Sequence, residues 1–312
     1  MASLKDIRRR IGSVKNTQQI TKAMKMVAAA KLRRSQQAVA GARPFAQKLE
    51  ELTKRLVSEI SASKAEGFRL ADIHPLLKKA EGTPERVALI VVSSDRGLCG
   101  AYNTNAGKMG VRRYTELKEQ GKEVHVVFAG KKAAELCKRR GMTGEILPSF
   151  WSGKFTVQKS DALTNEYISK FLAGDFTSVE VVYTQFRSAI SQQPAVKQVL
   201  PLAVEVAAVE DTKGSKKTAE EPVLALPFLY EPKDKVEILA EVLPMQVRTQ
   251  FYRCFVDSLA SEFGAKMTSM DNATRNASQM ISKLTIEANR IRQASITKEL
   301  MEIIGGAEAL KG

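Results

Sequence analysis

Residues 256–301 read VDSLASEFGAKMTSMDNATRNASQMISKLTIEANRIRQASITKELM. Alternating steps of three and four pick out Val256, Leu259, Phe263, Lys266, Met270, Ala273, Ala277, Met280, Leu284, Glu287, Ile291, Ala294, Lys298 and Met301. Such steps match the repeat of helices that wind about a partner, so the stretch is predicted to be one strand of a coiled coil with polar interruptions in its seam. Between Lys233 and Ala309 the only proline is Pro244, which leaves roughly 60 residues of unbroken helix, about 90 Å long. No compact domain requires a helix of that length, so it needs a partner along its side.

The chain's other end supplies one. From Ser3 to about Ile60, the residues Leu4, Ile7, Ile11, Val14, Ala28, Leu32, Val39, Leu49, Leu56 and Ile60 recur at helical spacing, and Pro44 is expected to bend the helix they form. Two long amphipathic helices bury their seams most simply by pairing antiparallel. The C-terminal helix outlasts the other, so Ile291 to Leu310 is expected to project as an apolar tip that needs a socket on another protein.

Between the helices, strands and helices alternate. RVALIVVSSD is followed by a helix after Asn103, then EVHVVFAG, helices from Lys131 and from about Val157, and VEVVYTQF. The pattern predicts an α/β unit with a small, partly parallel sheet. AVKQVLPLAVEVA and LALPFLYEP are predicted as further strands, separated by a charged loop at 210–221. The expected fold class is α/β plus a long antiparallel coiled coil, organised as 1–60, 61–232 and 233–312.

The 312 residues carry 49 Lys and Arg against 34 Asp and Glu, a net charge of +15. From Met1 to Arg34 there are ten basic residues and one acidic residue, Asp6. That segment suits an acidic partner: nucleic acid, anionic lipid or an acidic protein surface. No aromatic residue precedes Phe45 and no nucleic-acid-binding signature accompanies the charge, which disfavours nucleic acid. Apolar runs such as Val87 to Val92 fall far short of a membrane span. The N-terminus lacks the apolar stretch of a secretory signal. Cys99, Cys137 and Cys254 form no CxxC pair and are expected to be reduced and buried.

Chemistry-bearing candidates are few. SSDRGLCGAYNTN at 93–105 follows a strand and precedes a helix, where a nucleotide fold places its phosphate loop. It lacks GxGxxG and GxxxxGK, and Asp95 adds negative charge, so Gly97 and Gly100 are expected to serve a tight turn while Asp95 and Arg96 cap or pair locally. His74 and His125 have no nucleophile or carboxylate cluster around them. No catalytic residue, cofactor or metal site is expected. A nucleotide-binding enzyme and a nucleic-acid-binding coiled coil stand as the alternatives.

Three segments resemble the γ subunit of F-type ATP synthases, in order: IRRRIGSVKNTQQITKAMKMVAAAKLRRS at 7–35, SSDRGLCGAYNTN at 93–105, and RQASITKELMEIIGGAEAL at 292–310. The resemblance implies a non-catalytic rotor shaft, with a Rossmann-like central domain, coupling proton flow to ATP chemistry. Implied partners are the α and β subunits around the coiled coil, with the ε subunit and the c-subunit ring at the α/β end. It also implies one copy per complex, no nucleic acid, and membrane contact only through the complex, at the cytoplasmic face of a bacterial plasma membrane. By the same resemblance, Met24 and Lys25 match the coupling region facing acidic loops of β. Arg292, Gln293, Thr297 and Glu299 match the contact with β catch loops, and 305–310 the apolar bearing. Lys266 stands where the family usually has Arg, Gly264 is expected to loosen its helix, and the family's chloroplast cysteine insertion is absent.

Overall fold

The computed structural model describes residues 3–62, 74–78, 85–147, 151, 155–203 and 234–309. The predicted strand LALPFLYEP, the charged loop 210–221 and most of the connector after residue 62 lie outside them. Helix α1 spans Leu4–Ala62 and α5 spans Lys235–Ala309, 75 residues against the 60 expected. Both helices run on through their internal prolines, Pro44 and Pro244. Between them lie a 3₁₀ turn at Pro75–Leu77, then β1 Arg86–Val92, α2 Tyr102–Glu119, β2 Glu123–Ala129, α3 Lys131–Lys138, β3 Glu145–Ile146, α4 Val157–Leu172, β4 Ser178–Phe186 and β5 Gln192–Leu200.

The strands form one sheet in the order β3-β2-β1-β4-β5. β1 runs parallel to β2 and β4, β2 runs parallel to β3, and β5 closes the edge antiparallel to β4. This is the predicted partly parallel sheet, with a two-residue β3 too short to leave a periodicity in the sequence. Parallel strands need helical crossovers, so both faces are covered, and β1 is accordingly buried from Val87 to Val92. On one face Leu89, Val91, Val126 and Phe128 pack against α2 and α3. On the other, Ile90, Val127, Val181 and Val199 pack against α4 and the basal turns of α1 and α5, through Leu56, Ile60, Leu243, Phe251 and Phe255. The coiled coil therefore shares its base with the sheet's own core.

Polar bonds fix these layers. Arg113 of α2 grips Glu180 of β4 with both arms, at 2.6 and 2.7 Å, and Glu180 is buried. The carboxylate holds the guanidinium in its charged form, the strong bidentate geometry for such a pair. Helix α5 is bonded to β4 directly: the Thr184 amide donates to Ser258 Oγ at 3.0 Å, and Ser261 Oγ donates to the Thr184 carbonyl at 3.0 Å. Helix α5 runs unbroken through Gly264. The glycine's bare Cα faces Ala189 and Phe186, where an added methyl would sit 3.3 Å from each, and so lets the helix lie close on the β4–β5 connection.

Both histidines have structural places. His74 Nδ1 accepts from the Leu76 amide at 3.1 Å and caps the 3₁₀ turn, and the His125 ring lies 5.5 Å from that of Phe176. All three cysteines are free and buried, and burial pushes the Cys254 thiol up to about 12.

Gly130 joins β2 to α3 at φ +126, and a Cβ there would lie 2.3 Å from the Ser93 carbonyl oxygen. Gly130→Ala combines left-handed strain with a backbone collision. It is expected to cost roughly 2–4 kcal/mol, read as a lowered urea midpoint of the full chain.

Candidate functional site

The seam of α1 alternates steps of three and four without a break: Leu4, Ile7, Ile11, Val14, Gln18, Thr21, Lys25, Ala28, Leu32, Ser35, Val39, Ala42, Ala46, Leu49, Thr53, Leu56 and Ile60, every one buried or half-buried. The apolar members other than Ala42 and Ala46 were legible in the sequence, whereas the polar ones were not. Three of the polar members reach directly across to α5. Gln18 Nε2 donates to Ser278 Oγ at 2.6 Å, the Thr21 and Thr274 hydroxyls meet at 2.8 Å, and Lys25 Nζ pairs with Asp271 at 2.5 Å. Rising numbers on one helix meet falling numbers on the other, so the pairing is antiparallel, as predicted. Lys31 of α1 adds a contact over the Phe263 ring, 5.4 Å from its centroid.

The α5 seam differs from the predicted one in alternate members. Met270, Ala277, Leu284 and Ile291 line it as expected, but the intervening positions are Thr274, Ile281 and Ala288, half-buried, while Met280 and Glu287 are exposed. Hydrophobicity does not separate Met280 from Ile281. The Thr21–Thr274 bond does, because it fixes which side of α5 faces α1. Lys266, predicted in the seam, instead pairs along its own helix with Glu262 at 3.0 Å.

Carried two heptads beyond Gln18 and Ser278, this register sets Leu4 opposite about residue 292. From Arg292 α5 continues alone for about 18 residues, roughly 27 Å. Every side chain described there is exposed, including Ile296, Leu300, Met301, Ile303 and Ile304 at 49–69%. Monomeric surfaces rarely present so many large apolar residues together. Arg292 and Glu299 lie seven residues apart on one face of this lone helix, and Gln293 and Thr297 lie four apart on the adjacent one. Glu299 accepts a bond from Ser295 Oγ at 3.2 Å. Lys25 sits far down the paired region. Its side chain is 43% exposed, and Asp271 also accepts from Arg275 of its own helix. These two cations hold the Asp271 carboxyl below the usual range. Met24 is half-buried beside Lys25.

The loop at 93–105 is occupied by its own bonds. Asp95 Oδ1 accepts from the Lys131 amide at 3.2 Å and caps α3, while Ser93 Oγ accepts from the Ala133 amide at 3.2 Å. Asn103 Nδ2 donates to the Arg96 carbonyl at 3.3 Å, and Asn103 Oδ1 accepts from the Ser94 amide at 3.0 Å. The positive φ values fall at Leu98 (65°) and Gly100 (55°), not at Gly97. Cys99 and Tyr102 then pack on Ala265 of α5. The loop is a brace between sheet and shaft. Among the described residues no cluster of His, Cys, Asp or Glu has metal-binding geometry, and no helix is long and apolar enough to cross a membrane.

An architecture of two paired terminal helices on a small parallel sheet narrows the comparison with known proteins. A family profile described as ATP synthase matches residues 3–310. The ATP synthase gamma chain of Trichlorobacter lovleyi is 42% identical over 312 residues, and that of Geotalea daltonii 43% over 312, each covering all of both chains. The chain belongs to the ATP synthase gamma-chain family. That family is the rotor stalk of ATP synthase and is non-catalytic. The fold is shared with a chain in the OSCP/F1/c-ring structure of the Euglena gracilis mitochondrial ATP synthase, with TM-score 0.60, 20% identity, and 98% of this chain and 94% of that one covered. It is shared also with a chain in the central stalk/c-ring structure of the Tetrahymena thermophila mitochondrial ATP synthase, with TM-score 0.52, 19% identity, and 81% and 99% covered.

One carboxylate on α5 is buried at a cost. Asp257 of α5 lines a small cavity with Arg43 and Val39 of α1, Gln185 and Phe186 of β4, and Tyr252 and Arg253 of α5. Burial pushes its carboxyl up to about 6, against the opposing pull of Arg253, Arg43 and Lys197. The folded chain therefore holds the proton more tightly than the unfolded chain: the penalty for ionising Asp257 is absent below about pH 4, grows as pH rises to about 6 and is fully present above it. Asp257→Asn is expected to match the parent near pH 4 and to exceed it by about 1 kcal/mol at pH 8, the full shift being discounted for partial exposure. Urea denaturation across pH measures the difference, and equal midpoints at pH 8 would show that burial carries no such penalty.

Proposed function

We propose that this chain turns as the single central shaft of an F-type ATP synthase, transmitting ion-driven rotation to catalytic sites on surrounding subunits. The partners proposed are a ring of α and β subunits around the paired helices, with the ε subunit and the c-subunit ring at the sheet end. The complex would hold the chain at the cytoplasmic face of a bacterial plasma membrane. The observation that carries this reading is the lone apolar end of α5 beyond Ile291, a surface that a separate protein must cover.

The physical argument is one of asymmetry. A shaft that is two helices thick below residue 291 and one helix thick above has no threefold symmetry, so three identical sites around it meet different surfaces. A site changes state only if the shaft contacts its two states unequally, and turning the shaft moves that unequal contact from one site to the next. Each charge crossing the membrane supplies roughly 2.3 kcal/mol per 100 mV, so several must be summed in the shaft before one catalytic step is driven. The segments 1–60, 61–232 and 233–312 divide this labour into two shaft strands and an anchor.

Within this reading, Arg292, Gln293, Thr297 and Glu299 contact loops of β from the lone helix. Met24 and Lys25 meet β lower down, where Lys25 faces both Asp271 and solvent. Ending the chain at Ile291 removes no residue of the sheet core. It is therefore expected to leave the unfolding transition unchanged while lowering coupled ATPase activity several-fold in a complex co-expressed with the cognate α and β subunits. A truncated chain that unfolds, or a complex that turns over and couples normally without the tip, would contradict the proposal.

A further inference from the structure

The outer helices α2 and α3 flank an open groove of about 390 Å³ that the shaft reading does not use. Its walls are Asn103 and Thr104 from α2 and Lys132, Glu135, Leu136, Arg139 and Arg140 from the α3 segment. Gly107 brings the helices together: a Cβ there would meet Leu136 Cδ2 at 2.7 Å, and Cys137 Sγ donates to the Gly107 carbonyl at 3.6 Å. Helices α2 and α3 cover the sheet face opposite the one that packs on the bases of α1 and α5.

Its charge is lopsided. Lys132 is matched by Glu135 at 2.7 Å, but among the described residues Arg139 and Arg140 have no side-chain partner. Both guanidinium groups are exposed, as are their neighbours Lys131 and Lys138. The ten residues 131–140 thus hold five cations and one carboxylate. Like charges crowded in this way repel one another until an anion arrives, and two planar guanidinium forks suit the paired oxygens of phosphate better than isolated lysines do. The volume falls within the range of small-molecule sites. Asp95, the nearby carboxylate that counted against phosphate in the sequence, is turned onto the Lys131 amide and does not line the groove.

We propose that the α2–α3 groove binds a polyphosphate chain, either free or as the phosphate tail of a nucleotide, held by Arg139, Arg140 and Lys132. The site goes beyond the shaft function and stands or falls separately from it.

The test is isothermal titration calorimetry of the full chain at about 0.15 M salt, with sodium tripolyphosphate, ATP and hexaglutamate as probes. Tripolyphosphate is expected to bind saturably at one site, and Arg139→Gln with Arg140→Gln to weaken it about tenfold or more. Lys283→Gln with Arg290→Gln, two exposed cations on α5, is expected to leave it unchanged, and near-UV circular dichroism checks that both variants are folded. ATP binding as tightly as tripolyphosphate identifies the phosphate chain alone as the ligand, and tighter ATP binding identifies a nucleotide. Absence of saturable binding, equal loss in both variants, no loss in the groove variant, or tighter binding of hexaglutamate would each overturn the proposal.

Discussion

The antiparallel seam between α1 and α5 is the interaction on which the rest of the molecule depends. A helix standing in water beyond its domain gains little from propensity alone, and its order comes from burying one stripe against a partner. Here the stripe is continuous on α1 from Leu4 to Ile60, and its basal end, at Leu56 and Ile60, lies inside the sheet's own core. Twisting the upper shaft therefore loads a core that also includes β1, β4 and α4. The bonds from Ser258 and Ser261 to the backbone of Thr184 lie on that path, as does the Tyr102 phenol, buried against α5 and kept protonated by burial.

The seam is apolar at Ile7, Ile11 and Val14 and mostly apolar from Ala28 down to the sheet, with a polar block between at Gln18, Thr21 and Lys25. Polar seam positions lower stability and specify register, since a slip by one heptad would break all three pairs, setting Thr21 opposite Met267 or Ile281 and Lys25 opposite Gly264 or Ser278. In a helix pair of this length, apolar layers alone would tolerate several registers of similar energy. Hydroxyl against hydroxyl at Thr21 and Thr274, and cation against carboxylate at Lys25 and Asp271, exclude the alternatives. A register error would shorten or lengthen the lone end of α5, the part from which the functional reading follows.

Much of this was legible in the sequence, and the limits have physical causes. The two terminal helices, their antiparallel pairing, the order of strands and helices and the projecting end follow from periodicity and length. The phase of the α5 seam did not, because Ala273 and Thr274, or Met280 and Ile281, are near equals in hydrophobicity and only the partner helix chooses between them. Asp271 was missed as the partner of Lys25 because nothing local marks a carboxylate 246 positions away. Gly264 looked like a weakness in a helix and proved to be a place of close approach. The burial of Asp257 depends on three elements meeting, which no single segment encodes. Of the residues carried over by resemblance, the C-terminal four share a lone exposed helix, while Lys25 has an internal partner that the resemblance did not supply.

That internal partner bears on how the proposed shaft would meet an acidic loop. Asp271 is shared by Lys25 and Arg275, so this level of the coiled coil carries two cations on one carboxylate and a net positive charge. An ion pair this exposed is weak, and its members exchange partners at little cost. A second carboxylate from outside would therefore compete with Asp271 for Lys25 without breaking a strong bond, and Arg275 would keep Asp271 neutralised as Lys25 turned away. In the proposed shaft, contact by exchange would suit a surface gripped and released in turn, because an acidic loop approaching Lys25 would find a cation already ordered and would leave behind a carboxylate already paired with Arg275.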